Sequence, residues 1–430
     1  MASLPKHDRP EPVSISPLLK RLAYPATADI QVSAEDIASA FALIFEDRLS
    51  DIQTAALLTL LHSTGKDKDA AVIAKCSHRM REAATQIDKA SLKKVVKARG
   101  KSEGDYKGGL CDIVGTGGDS HSTFNVSTTS SIIASPLLMT AKHGNRAQTS
   151  FSGSADVLNS IQPIPPNISA VNASNVAKVY EETNYAFLFA PNFHPGMMYA
   201  NPVRRGLGLR TIFNLMGPLA NPVEWAIEAR LVGVAYQSLG PVFADALRQA
   251  GAKKALVVCG EEDMDEISCA GKTNCWRLSE YPNPAYKKTS ADDDDSEDEE
   301  NPRTLVKLDT FQLQPSDFGV NSHPLTEVYG RKMPKDNANK LMSILRNELS
   351  RDDPILEFVL MNVAALLVTS GICEAETSNM GPGDDGQVIT ERGPGGGRWK
   401  EGLRRARWAI ESGSALKVFE QFIEVSNKLA

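Results

Sequence analysis

Apolar side chains recur every three or four residues from Ile15 to about Ile87, a spacing that predicts a run of helices. Pro17 suits a first helical turn, with Leu18, Leu19 and Leu22 apolar behind it. Ser33-Ala34-Glu35-Asp36 reads as a capping signal for a helix carrying Ile37, Phe41, Ile44 and Phe45 on one face. Leu49-Ser50-Asp51 caps another, in which Ala55, Leu57, Leu58 and Leu61 are spaced for a core and Gly65 is the stop. Ala70 to Ala84 is a further helix, and the basic, then glycine-containing residues 88–109 read as a connection.

From Leu110 the mode changes to short apolar runs alternating with helical ones. That alternation predicts an α/β domain with a mostly parallel central sheet flanked by helices, behind a small all-helical N-terminal domain. Candidate strands are Leu110 to Val114, Leu137 to Ala141, Ala186 to Phe189, Ala229 to Val234 and Ala255 to Val258. Helical segments lie near Ser127 to Ser135, Ala155 to Ile161, Ala173 to Glu182 and Gly240 to Ala250. Ordered structure resumes over Leu305 to Phe318. Ala338 to Leu349, Pro354 to Gly371, Trp399 to Ser412 and Ser414 to Leu429 then read as helices. Ile355 to Val368 is the longest apolar stretch, interrupted by Glu357 and Asn362 and too short to span a bilayer, so it is read as a buried core helix.

Composition changes this picture in three places. Eight acidic side chains crowd into residues 292–300, and they exceed the whole net charge of −6, so the folded body is close to neutral. Neither a nucleic acid nor a membrane surface is therefore expected as a partner, and the acidic stretch (about 283–302) reads as a disordered insertion. Residues 1–14 and the Gly-rich loop at about 377–398 are expected to be disordered and flexible respectively. The six cysteines are scattered without a CxxC or zinc-type spacing, which suits a reducing compartment. Residues 1–30 hold no apolar segment of signal-peptide type, so a cytoplasmic location is expected.

Four stretches carry candidate chemistry. Leu110 to Val114 breaks into Gly115-Thr116-Gly117-Gly118-Asp119, followed by Asn125-Val126-Ser127-Thr128 at a helix start. Glycines admit backbone N–H groups close to an anion, and a helix N-terminus favours negative charge. Lys142-His143-Gly144-Asn145-Arg146 stands at another strand end, where ligands of open α/β sheets bind. Ser150 to Asp156 then reads as a second hydroxyl-rich helix start. Singly, Lys142 suits a surface position as well as a phosphate, and His143 suits a core as well as a ligand site. Two anion-type loops with a lysine between them point to a polyphosphate. Arg204, Arg205 and Arg210 precede Phe213 to Pro222, and the Pro and Gly punctuation argues that one arginine points inward. Last, Glu261 to Glu266 places carboxylates after a strand; they suit Mg²⁺ beside a polyphosphate, or a plain acidic turn.

Together these segments resemble the anthranilate phosphoribosyltransferases of tryptophan biosynthesis, in the glycosyltransferase-3 / type II nucleoside-phosphorylase fold group. The resemblance runs from about Ile15 to the C-terminus outside the acidic insertion. It rests on GTGGD, NVST, KHGNR, SGSADVL (Ser152 to Leu158), RTIFNLMGPLANP (Arg210 to Pro222) and MDEIS (Met264 to Ser268). It implies a helical domain over 15–103 with a returning segment near 192–212, and a phosphoribosyl-transfer domain over 104–430. It further implies that Gly115, Thr116, Gly117, Gly118, Asp119, Thr123, Asn125, Ser127, Thr128, Lys142, Ser150 and Ser154 hold phosphoribosyl pyrophosphate. In this carry-over Lys142 stabilises the leaving group and no residue acts as acid or base. Gly115, His143, Asn145 and Arg204 would meet anthranilate, while Ser127, Asp265 and Glu266 would bind Mg²⁺. The family is a homodimer through its helical domain. Departures are Phe151, where many members have Lys, Pro136, where small residues stand, and Cys259, which replaces a frequent His. The rival functions are a pyrimidine nucleoside phosphorylase of the same fold and a catalytically silent relative.

Overall fold

The computed structural model describes residues 10–24, 31–147, 152–286, 302–331 and 333–429. The acidic run 292–300, Ser150 and Phe151 lie outside the described residues, as does most of the segment 1–14.

Helices α1 (Ser16–Ala23), α2 (Ala34–Phe45), α3 (Asp51–Ser63) and α4 (Ala70–Glu82) follow the helical spacing. Pro17 sits in the first turn of α1, where its missing N–H costs nothing. Ser33 and Asp36 complete a capping box on α2: the Ser33 hydroxyl accepts the Asp36 N–H at 3.0 Å, and the Asp36 carboxylate accepts the Ser33 N–H at 3.3 Å. Ser50 and Asp69 cap α3 and α4 in the same sense, each cap contributing about 1 kcal/mol. Phe41, Leu57, Leu58 and Leu61 turn inward. They share a core with Ala200, Val203, Ile212 and Phe213, which arrive much later in the chain.

The connection expected over residues 88–109 is corrected by the structure. Lys89–Arg99 is a helix, α5, capped by Asp88, whose carboxylate accepts the N–H groups of Ala90 and Ser91. Its basic residues obscured the pattern. Only Leu92 and Val95 are buried, and they pack into the larger core of the sheet body rather than into the N-terminal one.

The sheet body continues with β1 (Leu110–Gly115), α6 (Val126–Ala134), β2 (Met139–Gly144), α7 (Ser154–Leu158), α8 (Val176–Glu182) and β3 (Tyr185–Phe189). Then come α9 (Ala190–Phe193), α10 (Met197–Leu207), α11 (Ile212–Met216), β4 (Ile227–Gly233), α12 (Leu239–Gln249) and β5 (Lys254–Gly260). β2 starts two residues later than the apolar run suggested, because Leu137 and Leu138 still donate their N–H groups to Ala134 in a turn. A hairpin, β6 (Thr273–Pro282) and β7 (Thr304–Leu313), follows. Its pattern is too mixed to read as strand, since it lies at the sheet edge with many side chains in solvent. The order is β3-β2-β1-β4-β5-β6-β7, parallel from β3 to β5 and antiparallel at β6 and β7.

The chain closes with α13 (Pro315–Phe318), α14 (Pro334–Leu345), α15 (Pro354–Ser370), α16 (Trp399–Glu411) and α17 (Ser414–Lys428). As expected of a core helix, α15 is buried from Leu356 to Ser370 and packs on α6, α16 and β4. The loop over 377–398, expected to be flexible, is anchored by its charges. Asp384 accepts from the Met380 N–H at 2.8 Å and from Arg404 at 3.0 Å, and the Ile389 N–H reaches Glu401 at 2.9 Å.

From β1 the chain winds to β2 and β3 on one side, then returns to place β4 and β5 on the other. The carboxyl ends of β1 and β4 therefore border the crevice where such sheets bind ligands. His194, just after α9, helps hold the returning segment beside it: its Nε2 donates to the Ala220 carbonyl at 2.9 Å. Burial pushes this imidazole down to about 4.

Two predictions follow from the packing. An unfolded histidine titrates near pH 6.5, so the unfolded chain takes up a proton at His194 that the folded chain refuses until about pH 4. Stability should fall with pH across that window, by up to about 1.4 kcal/mol per unit from this group. His194→Gln, which keeps a donor and cannot titrate, should have a shallower limb in urea unfolding between pH 7 and pH 5; an identical limb would contradict the burial. Leu92→Ala should cost about 2–5 kcal/mol, as a core truncation does. A loss under about 0.5 kcal/mol would return residues 89–99 to a surface connection.

Candidate active site

At the end of β1 the chain passes from Gly115 into Thr116-Gly117-Gly118-Asp119. Gly117 and Gly118 take φ of 61° and 83°, the left-handed region that glycine enters without strain. Arg210 lies over this turn. Its Nη2 donates to the Gly117 carbonyl at 2.9 Å, and its guanidinium occupies the space a Cβ at Gly118 would need. The Thr116 hydroxyl is used inside the protein, accepting the Ala235 N–H at 3.1 Å.

The segment after β5 comes back against the same strand ends. A Cβ at Gly115 or Gly233 would collide with Asp265, so the two terminal glycines of β1 and β4 make its place. Asp265 Oδ2 accepts the Gly117 N–H at 2.7 Å. Asn362 of α15 fixes the next turn, accepting the Ile267 N–H at 3.1 Å through Oδ1 while Nδ2 donates to the Phe358 carbonyl at 3.0 Å. Between these anchors Asp119, Asp265 and Glu266 bring one carboxylate oxygen each to within 4.8 Å of one another. Thr123 Oγ1 donates to Glu266 at 3.2 Å. Burial first, and then the charge of Asp265, push Asp119 up to about 7. Burial, with Asp265 and Asp119 adding to it, holds Glu266 well above the usual carboxylate range. Crowded carboxylates of this kind fit a hard divalent cation with oxygen ligands. Asp119 joins the two acidic residues expected for a metal, while Ser127 lines the same cleft.

Helix α6 starts at this cleft. The Asn125 amide donates to the Ser152 carbonyl at 2.9 Å, tying the second glycine turn to the helix N-terminus. Thr128 is buried and donates to Ser154 Oγ at 2.7 Å, so it positions Ser154. The resulting chamber, of about 250 Å³, is lined by the three carboxylates and by Asn125, Ser127 and Ser154.

A second chamber of about 460 Å³ shares the wall of Gly115, Gly117, Gly118, Ser127, Gly153 and Ser154. Lys142, His143 and Asn145 enter it from the end of β2, and Arg204 from α10. Lys142 is only 2% exposed. Burial lowers its pKa, while the charges of Asp112 and Asp265 oppose that shift. Asn221 holds Asp112 in place, donating to its Oδ2 and to the Ala141 carbonyl at 2.9 Å each. His143 stands edge-on to His194 with ring centroids 5.3 Å apart, and burial keeps it well below its ordinary pKa and hence neutral. The Arg204 guanidinium lies 5.1 Å above the Phe213 ring, and burial lowers its pKa.

The structure thus collects every described residue expected at the site into two adjoining chambers or their supports. It adds Arg210, Asp112, Asn221 and Asn362. Arg210 was visible as one of three arginines without a sign of its role. The other three sit inside apolar or strand-like runs, where polarity was the only signal.

Comparison with known proteins agrees with this geometry. Residues 17–84 match the glycosyl transferase family helical bundle domain, and residues 107–294 and 300–416 match the a/b domain of the same family. The anthranilate phosphoribosyltransferase of Schizosaccharomyces pombe is 35% identical over 401 residues, covering 92% of this chain and 94% of that protein. That of Saccharomyces cerevisiae is 34% identical over 328 residues, 74% of this chain and 73% of the relative. The solved structure of the Saccharomyces cerevisiae enzyme in complex with PRPP and Mg superposes with a TM-score of 0.73 at 28% identity, covering 96% of this chain and 99% of that one. The same enzyme in complex with 4-fluoroanthranilate gives 0.71 at 27% identity, with the same coverage. Two glycine-walled chambers at a sheet switch point, the matched helical and a/b domains and relatives of this similarity over nearly the whole chain lead to one conclusion: the chain belongs to the anthranilate phosphoribosyltransferase family of glycosyl transferases.

Proposed function

We propose that this chain transfers the 5-phosphoribosyl group of phosphoribosyl pyrophosphate to the amino group of anthranilate in tryptophan biosynthesis, releasing pyrophosphate. The observation that carries the reading is the pair of chambers with a common glycine wall. One is lined by acids and helix-start residues, the other by buried Lys142, Arg204 and an aromatic ring. A phosphorylated sugar in the first presents its anomeric carbon to an aromatic amine in the second.

In this reading the amine nitrogen forms a bond to the anomeric carbon as the bond from that carbon to the diphosphate oxygen breaks. The lost amine proton goes to solvent or to the departing diphosphate. Glycosyl transfer of this type develops oxocarbenium character. An aromatic amine is unprotonated near neutral pH, so no protein base is needed to free its lone pair. Catalysis then rests on positioning and leaving-group stabilisation. The N–H groups of the 115–119 loop, with Thr123, Asn125, Ser127 and Ser154, cradle the phosphoribosyl substrate. Thr128 acts through Ser154. Lys142 draws charge from the leaving diphosphate. Arg204, braced on Phe213, takes the anthranilate carboxylate in a bidentate grip, with Asn145, His143 and Gly115 beside it. Asp119, Asp265, Glu266 and Ser127 would hold Mg²⁺, which when bound neutralises charge on the diphosphate. Arg210 keeps the glycine loop in its bound shape.

A cytoplasmic homodimer joined through the N-terminal helices α1 to α4, with residues 192–212 returning to them, belongs to the same reading. Among the described residues no helix is long and apolar enough to cross a membrane.

The full chain with Mg²⁺, phosphoribosyl pyrophosphate and anthranilate should extinguish anthranilate fluorescence, and thymidine with phosphate should yield no thymine. Arg204→Ala should raise the KM for anthranilate about tenfold or more, with that for the phosphoribosyl substrate within about twofold, since one charge-assisted pair contributes about 1.5–3 kcal/mol. Equal effects on both substrates would contradict the placement. Asp265→Asn with Glu266→Gln should shift half-saturation by Mg²⁺ upward at least about tenfold for a comparable loss. An unchanged titration would make the acidic turn a surface feature.

A further inference from the structure

Asp119 comes to the acidic cluster from a different part of the chain than Asp265 and Glu266, and its carboxylate stands against theirs with like charge. Two ties bracket it. Before it, the Gly117 N–H donates to Asp265 Oδ2 at 2.7 Å. After it, the His121 side chain meets the Glu262 carbonyl at 2.7 Å through Nε2. A carbonyl only accepts, so Nε2 carries the hydrogen. Both ties run to the same stretch of chain after β5, and the one from His121 has no part in the reaction as described so far.

The receiving turn is itself fixed. The Gly260 N–H donates to the Met264 carbonyl at 2.9 Å, and the Asp263 N–H donates to the Gly260 carbonyl at 3.0 Å. Asp263 takes a φ of 58°, and its Oδ1 accepts the Gln237 N–H at 3.2 Å. The Glu262 carboxylate accepts from Ser268 Oγ at 3.1 Å. Asn362 holds Ile267 at the far end of the stretch. The Asp119 side has less support of its own. Gly117 and Gly118 precede it with positive φ, in backbone that glycine leaves free to turn. His121 is half-buried and lines the first chamber beside them.

We propose that His121 is a positioning residue, whose bond to the Glu262 carbonyl holds the Asp119 carboxylate beside Asp265 and Glu266 for the divalent cation. This inference rests on the metal placement in the reading above. Carboxylates this close repel one another. With only the tie at Gly117, the chain would turn about the two glycines and carry Asp119 away from the cluster. The second tie opposes that repulsion and pre-sets the oxygen ligands. Its loss therefore acts differently on the two states of the chain. The metal-free chain gives up one hydrogen bond and sheds a repulsion, whereas the metal-bound chain loses a ligand's placement. A bond with only a structural role would do the reverse, lowering metal-free stability and leaving the ion's affinity alone.

The test titrates Mn²⁺, which takes the same oxygen ligands as Mg²⁺, into the full chain without substrates and reads the free ion by electron paramagnetic resonance. His121→Ala should weaken Mn²⁺ binding about three- to tenfold, the scale of one lost hydrogen bond. His121→Gln, whose amide nitrogen can donate to the same carbonyl, should stay within about twofold of wild type. The metal-free melting temperature of both variants should match wild type. In turnover the alanine variant should need about three- to tenfold more Mg²⁺ for half-saturation, with the KM for anthranilate within about twofold. Unchanged Mn²⁺ affinity in the alanine variant, or a loss that the glutamine variant shares in full, would overturn the proposal. Absence of Mn²⁺ binding by the wild-type chain would instead overturn the metal placement beneath it.

Discussion

The close approach of Asp265 to the glycines ending β1 and β4 sets the geometry of the rest of the cleft. Side chains larger than hydrogen at Gly115 or Gly233 would push the 264–267 turn off the sheet. With it in place, one carboxylate oxygen can accept the Gly117 N–H while the acidic cluster still faces the cleft. The glycine loop and the acidic turn, which come from distant parts of the sequence, therefore form a single unit. Helix α15 secures that unit from below through Asn362, a polar side chain in a mostly apolar helix buried from Leu356 to Ser370.

Charge is divided across the common wall. On one side three carboxylates stand close together, and desolvation holds two of them above their ordinary range. On the other side burial works against the charges of Lys142 and Arg204. A metal-bound diphosphate and a carboxylate-bearing aromatic amine relieve the two costs together.

Much of this was legible in the sequence. The change of apolar period at Leu110 marks the start of the sheet body, and five of the seven strands follow from short apolar runs. The glycine loop, the Lys142 strand end and the acidic turn were each visible as motifs, because a phosphate or a cation demands particular residue types at particular offsets. What escaped detection did so for physical reasons. Helix α5 has a solvent face so basic that its two-residue apolar stripe gave no clear period. The β6–β7 hairpin is an edge ribbon with no alternating face. His121 acts through a bond to a backbone carbonyl, and no local pattern marks a residue whose partner lies in a turn after β5. The loop over 377–398 looked flexible because its anchors, Arg404 and Glu401, lie on α16.

The most direct measurement is a crystal structure of the chain with Mg²⁺, phosphoribosyl pyrophosphate and a non-reacting anthranilate analogue. The account predicts the sugar diphosphate in the chamber of Asp119, Asp265 and Glu266, the analogue's carboxylate on Arg204, and the anomeric carbon in direct reach of the analogue's ring where the two chambers adjoin beside Gly115–Gly118. Electron density for the sugar diphosphate outside that chamber, or for the analogue away from Arg204, would contradict it.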